Sequence, residues 1–258
     1  MIRQLFHIDG SLFENLVFNH YRLRIKSHFE AYGAGFDFCR FYIAEYEKPE
    51  ALLCVFNSTL TVSRFDGFTP SGELSEDLLM FIEMNKPRLF EADCEITEPV
   101  KAKLLFEYSA EDRTMFEFRE LIKLSEIEVD ELPRLDDVYG ILKESFPELE
   151  KTYGMWLTDT SHRVRRGLSQ TFLYNGCTTA TIQYLIENSA LVGHVATLPE
   201  HRGKHYAREL LYWIGNKLWG EGFTVRLFAR AHRVSYYAEI GFLPVLHETV
   251  FERKVVND

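Results

Sequence analysis

The fold is decided by the stretch Val195-Ala-Thr-Leu-Pro-Glu-His-Arg-Gly-Lys-His-Tyr-Ala-Arg-Glu-Leu-Leu211. Its first residues are typical of a buried strand, a short basic loop follows, and apolar residues then recur at helical spacing. The first turn of a helix offers backbone N–H groups and the positive end of the helix dipole. Arg202, Lys204, His205 and Arg208 add positive charge there. The stretch predicts an anion site suited to a diphosphate, with an ordinary strand–helix turn as the alternative.

The residues around this stretch predict alternating helices and strands. Asp130 and Pro133 are typical of a helix start, and Leu135, Val138 and Leu142 continue on one helical face. The further predicted elements are a helix over 150–166, strands over 169–174, 178–187 and 190–197, a helix over 205–219, a strand over 224–229, a helix over 234–240 and a strand over 250–255.

The first half has a similar but shorter predicted order. Its elements are a helix over 12–30, strands over 38–46, 51–57 and 59–65, a short helix capped by Ser75, a strand over 89–96, and a strand pair over 102–108 and 114–118. The composition becomes acidic and polar over 123–131, which predicts two domains, 1–122 and 123–258. We therefore expect an α/β protein in which a mixed β-sheet flanked by helices follows a smaller, degenerate unit of related order.

Composition narrows the function classes. The chain has 258 residues, of which 46% are hydrophobic, so it is expected to bury a core. The net charge of −10 disfavours nucleic-acid binding. No apolar run approaches the ~20 residues of a membrane span, and the N-terminus does not resemble a signal peptide, so a cytoplasmic protein is expected. The four cysteines are scattered, which favours neither a metal site nor a disulfide framework.

Two motifs, in this order, resemble the GNAT superfamily of acetyltransferases. Arg202-Gly-Lys-His-Tyr-Ala207 resembles that family's pyrophosphate loop, Arg/Gln-x-x-Gly-x-Gly/Ala. Tyr236-Tyr-Ala-Glu-Ile-Gly-Phe242 resembles its late helix, which typically ends Tyr-x-x-x-Gly-Phe. The run from Val195 to Gly203 is similar to branches that include the glycine N-acyltransferase-like proteins. The resemblance covers residues 125–258, about half of the chain.

The resemblance implies acetyl-CoA as the acyl donor, no metal, and direct attack by a primary amine of a small molecule. Tyr237 would protonate the leaving thiolate as a general acid. His194 is a candidate base or water-holding residue, with a hydrogen-bonded strand histidine as the alternative. Strands 190–197 and 224–229 would splay apart, and the first would bind the pantetheine arm as an added strand. The expected coenzyme-binding residues are Val195, Thr197, Arg202, Gly203, Lys204, His205, Tyr206, Ala207, Arg208 and His232.

Departures from the family pattern leave several alternatives open. The middle glycine of the loop is His205, and Ala190 and Leu191 stand where some members carry a glutamate base, so Glu187 is a further candidate base. A non-catalytic acyl-CoA-binding or regulatory module is therefore the alternative function. The loop over 69–72 lacks the Arg-Gly-x-Gly pattern, so the first unit is expected to bind no coenzyme. The acceptor, the choice between an acetyl and a longer acyl group on the donor, and the oligomeric state, a homodimer included, stay open.

Two further clusters have both a structural and a functional interpretation. The basic run over 162–166 would complement the end of its helix, or else bind an anionic group of the coenzyme or acceptor. Tyr153, Trp156 and Leu157 would line an acceptor pocket, or else pack in the core as an aromatic stripe at helical spacing.

Overall fold

A computed structural model describes residues 1–119, 126–149 and 151–254. The chain divides into two compact units: the first is Met1–Arg113 with His247–Asp258, and the second is Thr114–Leu246. The chain therefore leaves the first unit at residue 113 and returns to it at residue 247. The predicted domain boundary between residues 122 and 123 lies outside the described residues and stays a prediction.

The first unit begins with a strand and a short 3-10 helix and continues as a mixed α/β structure. Its elements are β1 (Ile2–Leu5), a 3-10 helix (Gly10–Asn15), α1 (His20–Tyr32), β2 (Cys39–Glu45), β3 (Pro49–Phe56), β4 (Thr59–Arg64), α2 (Gly72–Asn85), β5 (Leu89–Ala92), α3 (Cys94–Leu104) and the first part of β6 (Tyr108–Glu117). The strands β1 to β4 pair antiparallel in sequence order, and β4 pairs parallel with β5.

The second unit has the same kind of order, with two helices before its strands. Its elements are β7 (Val129–Asp130), α4 (Leu135–Lys143), a 3-10 helix (Pro147–Leu149), α5 (Tyr153–Arg165), β8 (Gln170–Tyr174), β9 (Thr178–Ile186), β10 (Ser189–Thr197), a 3-10 helix (Pro199–His201), α6 (Tyr206–Gly220), β11 (Thr224–Arg230), a 3-10 helix (Ala231–Arg233), α7 (Val234–Glu239) and the first part of β12 (Leu243–Arg253). The strands β7 to β10 pair antiparallel in sequence order, and β10 pairs parallel with β11.

Each unit thus contains three antiparallel strands, a crossover helix and a parallel fourth strand. In the first unit these are β2, β3, β4, α2 and β5, and in the second they are β8, β9, β10, α6 and β11. Parallel neighbours need such a crossover, and a helix covers the sheet face as it crosses. The predicted fold class, a mixed sheet flanked by helices after a smaller unit of related order, is confirmed.

The core of the second unit lies between the sheet and α6. Leu210, Leu211, Ile214 and Leu218 of α6 are fully buried, and they pack with apolar residues of β8 to β11. A smaller cluster on α4 and α5 includes Val138, Leu142 and Trp156, and it contacts Ala196 of β10. Residues of β10 therefore contribute to two different clusters, one with α6 and one with α4 and α5.

The predicted helix over 12–30 is wrong in its first part. The 3-10 helix ends at Asn15, and Leu16 instead forms an isolated bridge with Phe65. The helix α1 begins after Asn19, whose side chain accepts a hydrogen bond from the backbone N–H of Arg22 at 3.0 Å. An asparagine cap of this kind sets a helix start more firmly than continued apolar spacing does.

The predicted strands over 89–96 and 102–108 are wrong where α3 replaces them. The strand β5 ends at Ala92, and α3 runs from Cys94 to Leu104. Its buried residues Ile96, Val100 and Leu104 recur every four positions, which is a helical period. Pro99 lies inside this helix, and a proline in a helix interior locally disfavours helix. Burial of these three side chains in the folded unit outweighs that local preference.

Candidate active site

The parallel strands β10 and β11 part at the carboxyl end of their pairing. Their register runs from Ser189 opposite Thr224 to Val192 opposite Leu227 and ends there. Yet β10 continues to Thr197 and β11 to Arg230. The last residues of β10 therefore present backbone groups on the side from which β11 has diverged. The splay predicted from the sequence is present, and an extended ligand with amide groups suits such an edge.

The strand β10 is also irregular on its other side. Its register with β9 shifts between Leu191 and Val192 and again between Gly193 and Ala196. His194 lies in this bulge with φ of 48°, a left-handed conformation that is uncommon for a residue with a side chain. Gly193 beside it has no room for a side chain, because a Cβ there would overlap the side chain of Gln183. Bulges of this kind redirect side chains and are frequent next to active sites.

The His194 side chain lies against β9 and the residues that follow α4. Its Nδ1 is 3.1 Å from the Thr181 hydroxyl oxygen, and its ring meets the Phe146 ring edge-on at 5.5 Å between centroids. Phe146 packs against the cluster of α4 and α5, which also contains Ala196. The bulge therefore directs His194 to the same sheet face as Trp156 and Leu157.

Val195 and Thr197, which the sequence assigns to the coenzyme, lie on the unpaired end of β10. Val195 packs against the α6 side of the sheet. The hydroxyl oxygen of Thr197 is 3.0 Å from that of Thr178, and its carbonyl accepts a hydrogen bond from Arg202 Nε at 3.1 Å. Arg202 also donates to the Ser145 hydroxyl at 3.2 Å. In this structure Arg202 ties the loop to the end of β10.

The loop after β10 contains two left-handed residues just before α6. Gly203 has φ of 79° and His205 has φ of 63°. His205 thus takes the conformation for which the family pattern uses glycine, and its side chain, like that of Lys204, is exposed. The substitution does not prevent the loop from turning as the resemblance requires.

The first turn of α6 carries the remaining residues of the predicted phosphate site. The backbone N–H of Glu209 bonds to the carbonyl of His205 at 3.0 Å, so the N–H groups of Tyr206, Ala207 and Arg208 precede the helical ladder. Glu209 accepts a hydrogen bond from the Tyr174 hydroxyl at 2.9 Å, which holds the helix start against β8. Together the loop and the helix start form a cradle of backbone donors with basic side chains around it.

Tyr237 lies on α7 in a mostly apolar setting. Its ring is 5.7 Å from that of Phe116 and 6.3 Å from that of Phe242. Burial, with a smaller contribution from Tyr236, raises the pKa of Tyr237 to about 12, although the charge of Arg233 opposes the shift. Its phenol is therefore protonated at neutral pH, as a proton donor must be.

Residues 135–242 match the model of the acetyltransferase (GNAT) family. The match begins with α4 and ends just before β12, so it includes the parted strands, the loop, α6 and Tyr237. Residues 135–242 form a GNAT acetyltransferase domain. The resemblance read from the two motifs is confirmed, whereas the glycine N-acyltransferase-like branch stays a prediction.

Solved structures share the fold of nearly the whole chain. A Pyrococcus horikoshii protein, provisionally named as an acetyltransferase, has a TM-score of 0.66 at 16% identity, over 97% of this chain and 88% of its own. A GCN5-related N-acetyltransferase from Sphaerobacter thermophilus has a TM-score of 0.64 at 16% identity, over 92% and 87%. A GNAT-family acetyltransferase from Colwellia psychrerythraea has a TM-score of 0.57 at 14% identity, over 98% and 100%. No curated protein sequence matches significantly.

The family match over residues 135–242 supports an N-acetyltransferase, while the roles of single residues stay predictions. The structure brings His194, Val195, Thr197 and the loop residues together around the parted strands, and it places His232 in the exposed turn before α7. It separates Glu187 from them. Glu187 lies in the turn between β9 and β10, before the first residue of β10, whereas His194 lies near the other end of that strand.

Other candidates of the GNAT domain have structural partners. Arg163 of the basic run is buried and forms an ion pair with Asp159 at 2.7 Å. Trp156 is buried against Tyr139, whereas the Tyr153 hydroxyl donates to Asp136. Trp156 thus belongs to the core.

The structure also reveals positioning residues that the sequence did not indicate. Thr181, Ser145 and Tyr174 contact His194, Arg202 and Glu209 respectively. Each lies 13 to 57 residues from its partner in sequence. No local pattern identifies such contacts, because packing between elements distant in sequence creates them.

Within residues 1–119, 126–149 and 151–254, no three His, Cys, Asp or Glu side chains cluster in a way that could hold a metal ion. None of the helices in that part of the chain has the length and apolar character that a membrane crossing requires.

Proposed function

We propose that the protein transfers an acetyl group from acetyl-CoA to a primary amine of a small molecule by direct attack. The observation that carries the proposal is the parting of β10 from β11 immediately before a basic loop that leads into α6. An extended chain with amides and a diphosphate is the ligand that fits an unpaired strand edge followed by a helix start.

The residues around the helix start suit the coenzyme diphosphate. Gly203 lets the backbone approach the phosphates, and the N–H groups of Tyr206, Ala207 and Arg208 would donate to them. Lys204 and Arg208 add positive charge to a chain of net charge −10. Val195 and Thr197 would bind the pantetheine arm through their backbone groups.

The two predicted catalytic side chains have complementary proton chemistry. Acetyl-CoA supplies an activated acyl group whose carbonyl carbon accepts the amine while the C–S bond breaks. Tyr237 gives its proton to the departing sulfur, and its phenol is protonated at neutral pH. His194 accepts the proton that the attacking nitrogen loses. The reaction then balances without a covalent enzyme intermediate.

The acceptor is proposed to approach the sheet face on which His194 lies. That face is covered by α4 and α5, and Leu157 of α5 is only partly buried there. Enclosure by two helices favours a small-molecule amine.

The test combines coenzyme binding with turnover. We expect calorimetry to show acetyl-CoA binding to the wild type and to Tyr237→Phe alike, because the phenol oxygen acts on the leaving sulfur and not on the phosphates. Turnover with a panel of small primary amines should fall at least about 10²-fold in Tyr237→Phe, the lower range for a general acid. The adjacent Tyr236→Phe is the matched control and should retain turnover.

The binding and turnover results together distinguish the proposed function from its alternatives. A wild type that does not bind acetyl-CoA overturns the proposed function. Binding without turnover on any amine supports the alternative, a non-catalytic acyl-CoA-binding module. Equal losses in Tyr236→Phe and Tyr237→Phe would contradict the assignment of Tyr237 as the proton donor.

A further inference from the structure

Thr181 of β9 faces the bulge in β10. Its hydroxyl oxygen lies 3.1 Å from the carbonyl oxygen of Gly193 and 3.1 Å from Nδ1 of His194. Thr181 is buried, with 5% of its surface exposed, and the neighbouring strand pairing fixes its position. Two adjacent residues of the bulge are therefore held by one side chain.

The single hydroxyl proton determines which atoms donate. A carbonyl oxygen only accepts hydrogen bonds, so the contact with Gly193 requires the Thr181 proton. With that proton directed at Gly193, the hydroxyl oxygen offers a lone pair to His194, which fits the tautomer in which Nδ1 donates. In a neutral imidazole, a proton on Nδ1 leaves the basic lone pair on Nε2.

The position of His194 on the sheet explains why its tautomer matters for proton transfer. The left-handed backbone at His194 is strained for a residue with a side chain, and such strain is often found at functional sites. The same bulge directs the ring to the α4 and α5 face, edge-on to Phe146. That face is the one proposed above for the acceptor amine.

We propose that Thr181 is a positioning residue that holds His194 as the Nδ1–H tautomer, so that Nε2 is the atom that accepts the proton of the acceptor amine. This inference rests on the proposed function for the second half of its statement. Its first half, the tautomer, is a property of the protein alone.

The test compares three variants of the full chain. Thr181→Val removes the hydroxyl and nearly keeps the shape, and Thr181→Ser restores the hydroxyl. Thr179→Val is the matched control, because Thr179 is equally buried on β9 but donates to the Phe172 carbonyl at 2.8 Å. The tautomer of His194 is read from its two ring-nitrogen signals by NMR of 15N-histidine-labelled protein, assigned with His194→Asn, and thermal unfolding reports the fold of each variant.

We expect the Nδ1–H pattern in the wild type, Thr181→Ser and Thr179→Val, and its loss in Thr181→Val. With acetyl-CoA and the best amine of the panel, kcat should fall roughly ten- to a hundredfold in Thr181→Val, part of the ~10² to 10⁴-fold contribution of a general base, and Thr181→Ser should recover it. An Nε2–H wild type, or a Thr181→Val tautomer like that of the wild type, overturns the inference. A changed tautomer with unchanged kcat overturns the role of Nε2.

The two proposals fail in different ways. If no amine is acetylated or acetyl-CoA does not bind, the proposed function fails, and the second half of the inference falls with it. The ring-nitrogen signals still decide whether Thr181 sets the tautomer, because that measurement uses the protein without ligand.

Discussion

Gly215 lies where α6 approaches the side chain of Phe118 closely. A Cβ built on it would lie 2.5 Å from two atoms of the Phe118 ring. An aromatic ring packed in a core has no free end that can move aside, and Phe118 also packs against Phe242. Glycine here serves packing, since a close approach of helix to ring leaves no space for a methyl group.

Gly215→Ala should therefore lower stability although alanine favours helix. Overpacking costs about 1–3 kcal/mol, and the helix propensity of alanine returns about 1 kcal/mol, so we expect a net loss of up to ~2 kcal/mol in urea unfolding. Gly220→Ala is the control, because a Cβ at this last residue of α6 meets nothing within 4 Å. An equal or larger loss in Gly220→Ala would contradict the packing explanation.

The sequence motifs identified which residues are candidates for the chemistry, but they did not indicate what surrounds those side chains in the fold. Tyr237 and His194 were named from their places in the motif and the strand, and the structure adds what those places mean. Burial among Phe116 and Phe242 raises the pKa of Tyr237, and the bulge turns His194 toward Thr181. These features depend on residues far away in sequence, so they were not predictable from the motifs.

At the scale of elements, the loop and α6 were predicted with the right order and nearly the right ends. Apolar spacing predicts a helix over 205–219, and α6 runs from Tyr206 to Gly220. The open question at this scale was His205, which stands where the family pattern has glycine. Its φ of 63° shows that the loop keeps the left-handed turn despite the side chain.

His205→Gly should leave the fold intact and preserve acetyl-CoA binding, because glycine adopts this conformation without strain. His205→Val should weaken binding by roughly tenfold, since a β-branched residue disfavours positive φ and ~1.4 kcal/mol of distortion corresponds to a factor of ten. Calorimetric titration with acetyl-CoA measures both. If His205→Gly binds far more weakly than the wild type, the imidazole itself contacts the coenzyme, and the conformational explanation is wrong.

The bulge in β10 was not predicted, and the reason is physical. Residues 190–197 were predicted as one strand, because apolar residues flank Gly193 and His194 on both sides. The two register shifts arise from pairing with β9, where Thr181 and Gln183 lie against Gly193. Register is a property of two strands, so a single strand sequence does not contain it.

At the scale of the whole chain, residues after 246 return to the first unit. Glu248 of β12 there accepts a hydrogen bond from the Tyr21 hydroxyl at 2.7 Å, and its Oε2 lies 3.0 Å from His20 Nε2. Arg113 of β6 pairs with Glu248 and, at 2.8 Å, with the fully buried Glu91. A buried charged network thus joins α1 to three strands of the first unit.

Glu248→Gln should destabilise the protein by about 3 kcal/mol, the lower end of the range for breaking a buried ion pair, because Arg113 keeps Glu91. Glu252→Gln on the same strand is the matched control. Its ion pair with Arg88, at 2.7 Å, is exposed and should contribute about 0–1 kcal/mol. Urea unfolding measures both variants, and similar losses in the two would contradict the buried network as the source of the stability.

The contacts of Glu248 with Arg113 and His20 also predict how the stability of the protein depends on pH. Burial favours a raised pKa for Glu248, but its contacts with His20, Arg113 and Tyr21 outweigh burial and lower the pKa to about 2 from 4.5. The folded state then binds fewer protons than the unfolded state, so the pair stabilises the protein above pH 4.5 and its contribution is lost as the pH falls toward 2. When the free energy of unfolding is measured against pH, the loss of stability below pH 4.5 should be smaller in Glu248→Gln than in Glu252→Gln.

The sequence alone predicted the fold class, the family resemblance of the C-terminal half and a basic loop that leads into α6. It did so because helical and strand periods, caps and short motifs are local and read directly along the chain. Tertiary structure alone decided that α3 replaces two predicted strands, that β10 bulges at His194, and that Glu248 joins a network with His20, Tyr21 and Arg113. Each of these depends on burial or pairing between segments distant in sequence, where the free energy comes from contacts that no single segment contains.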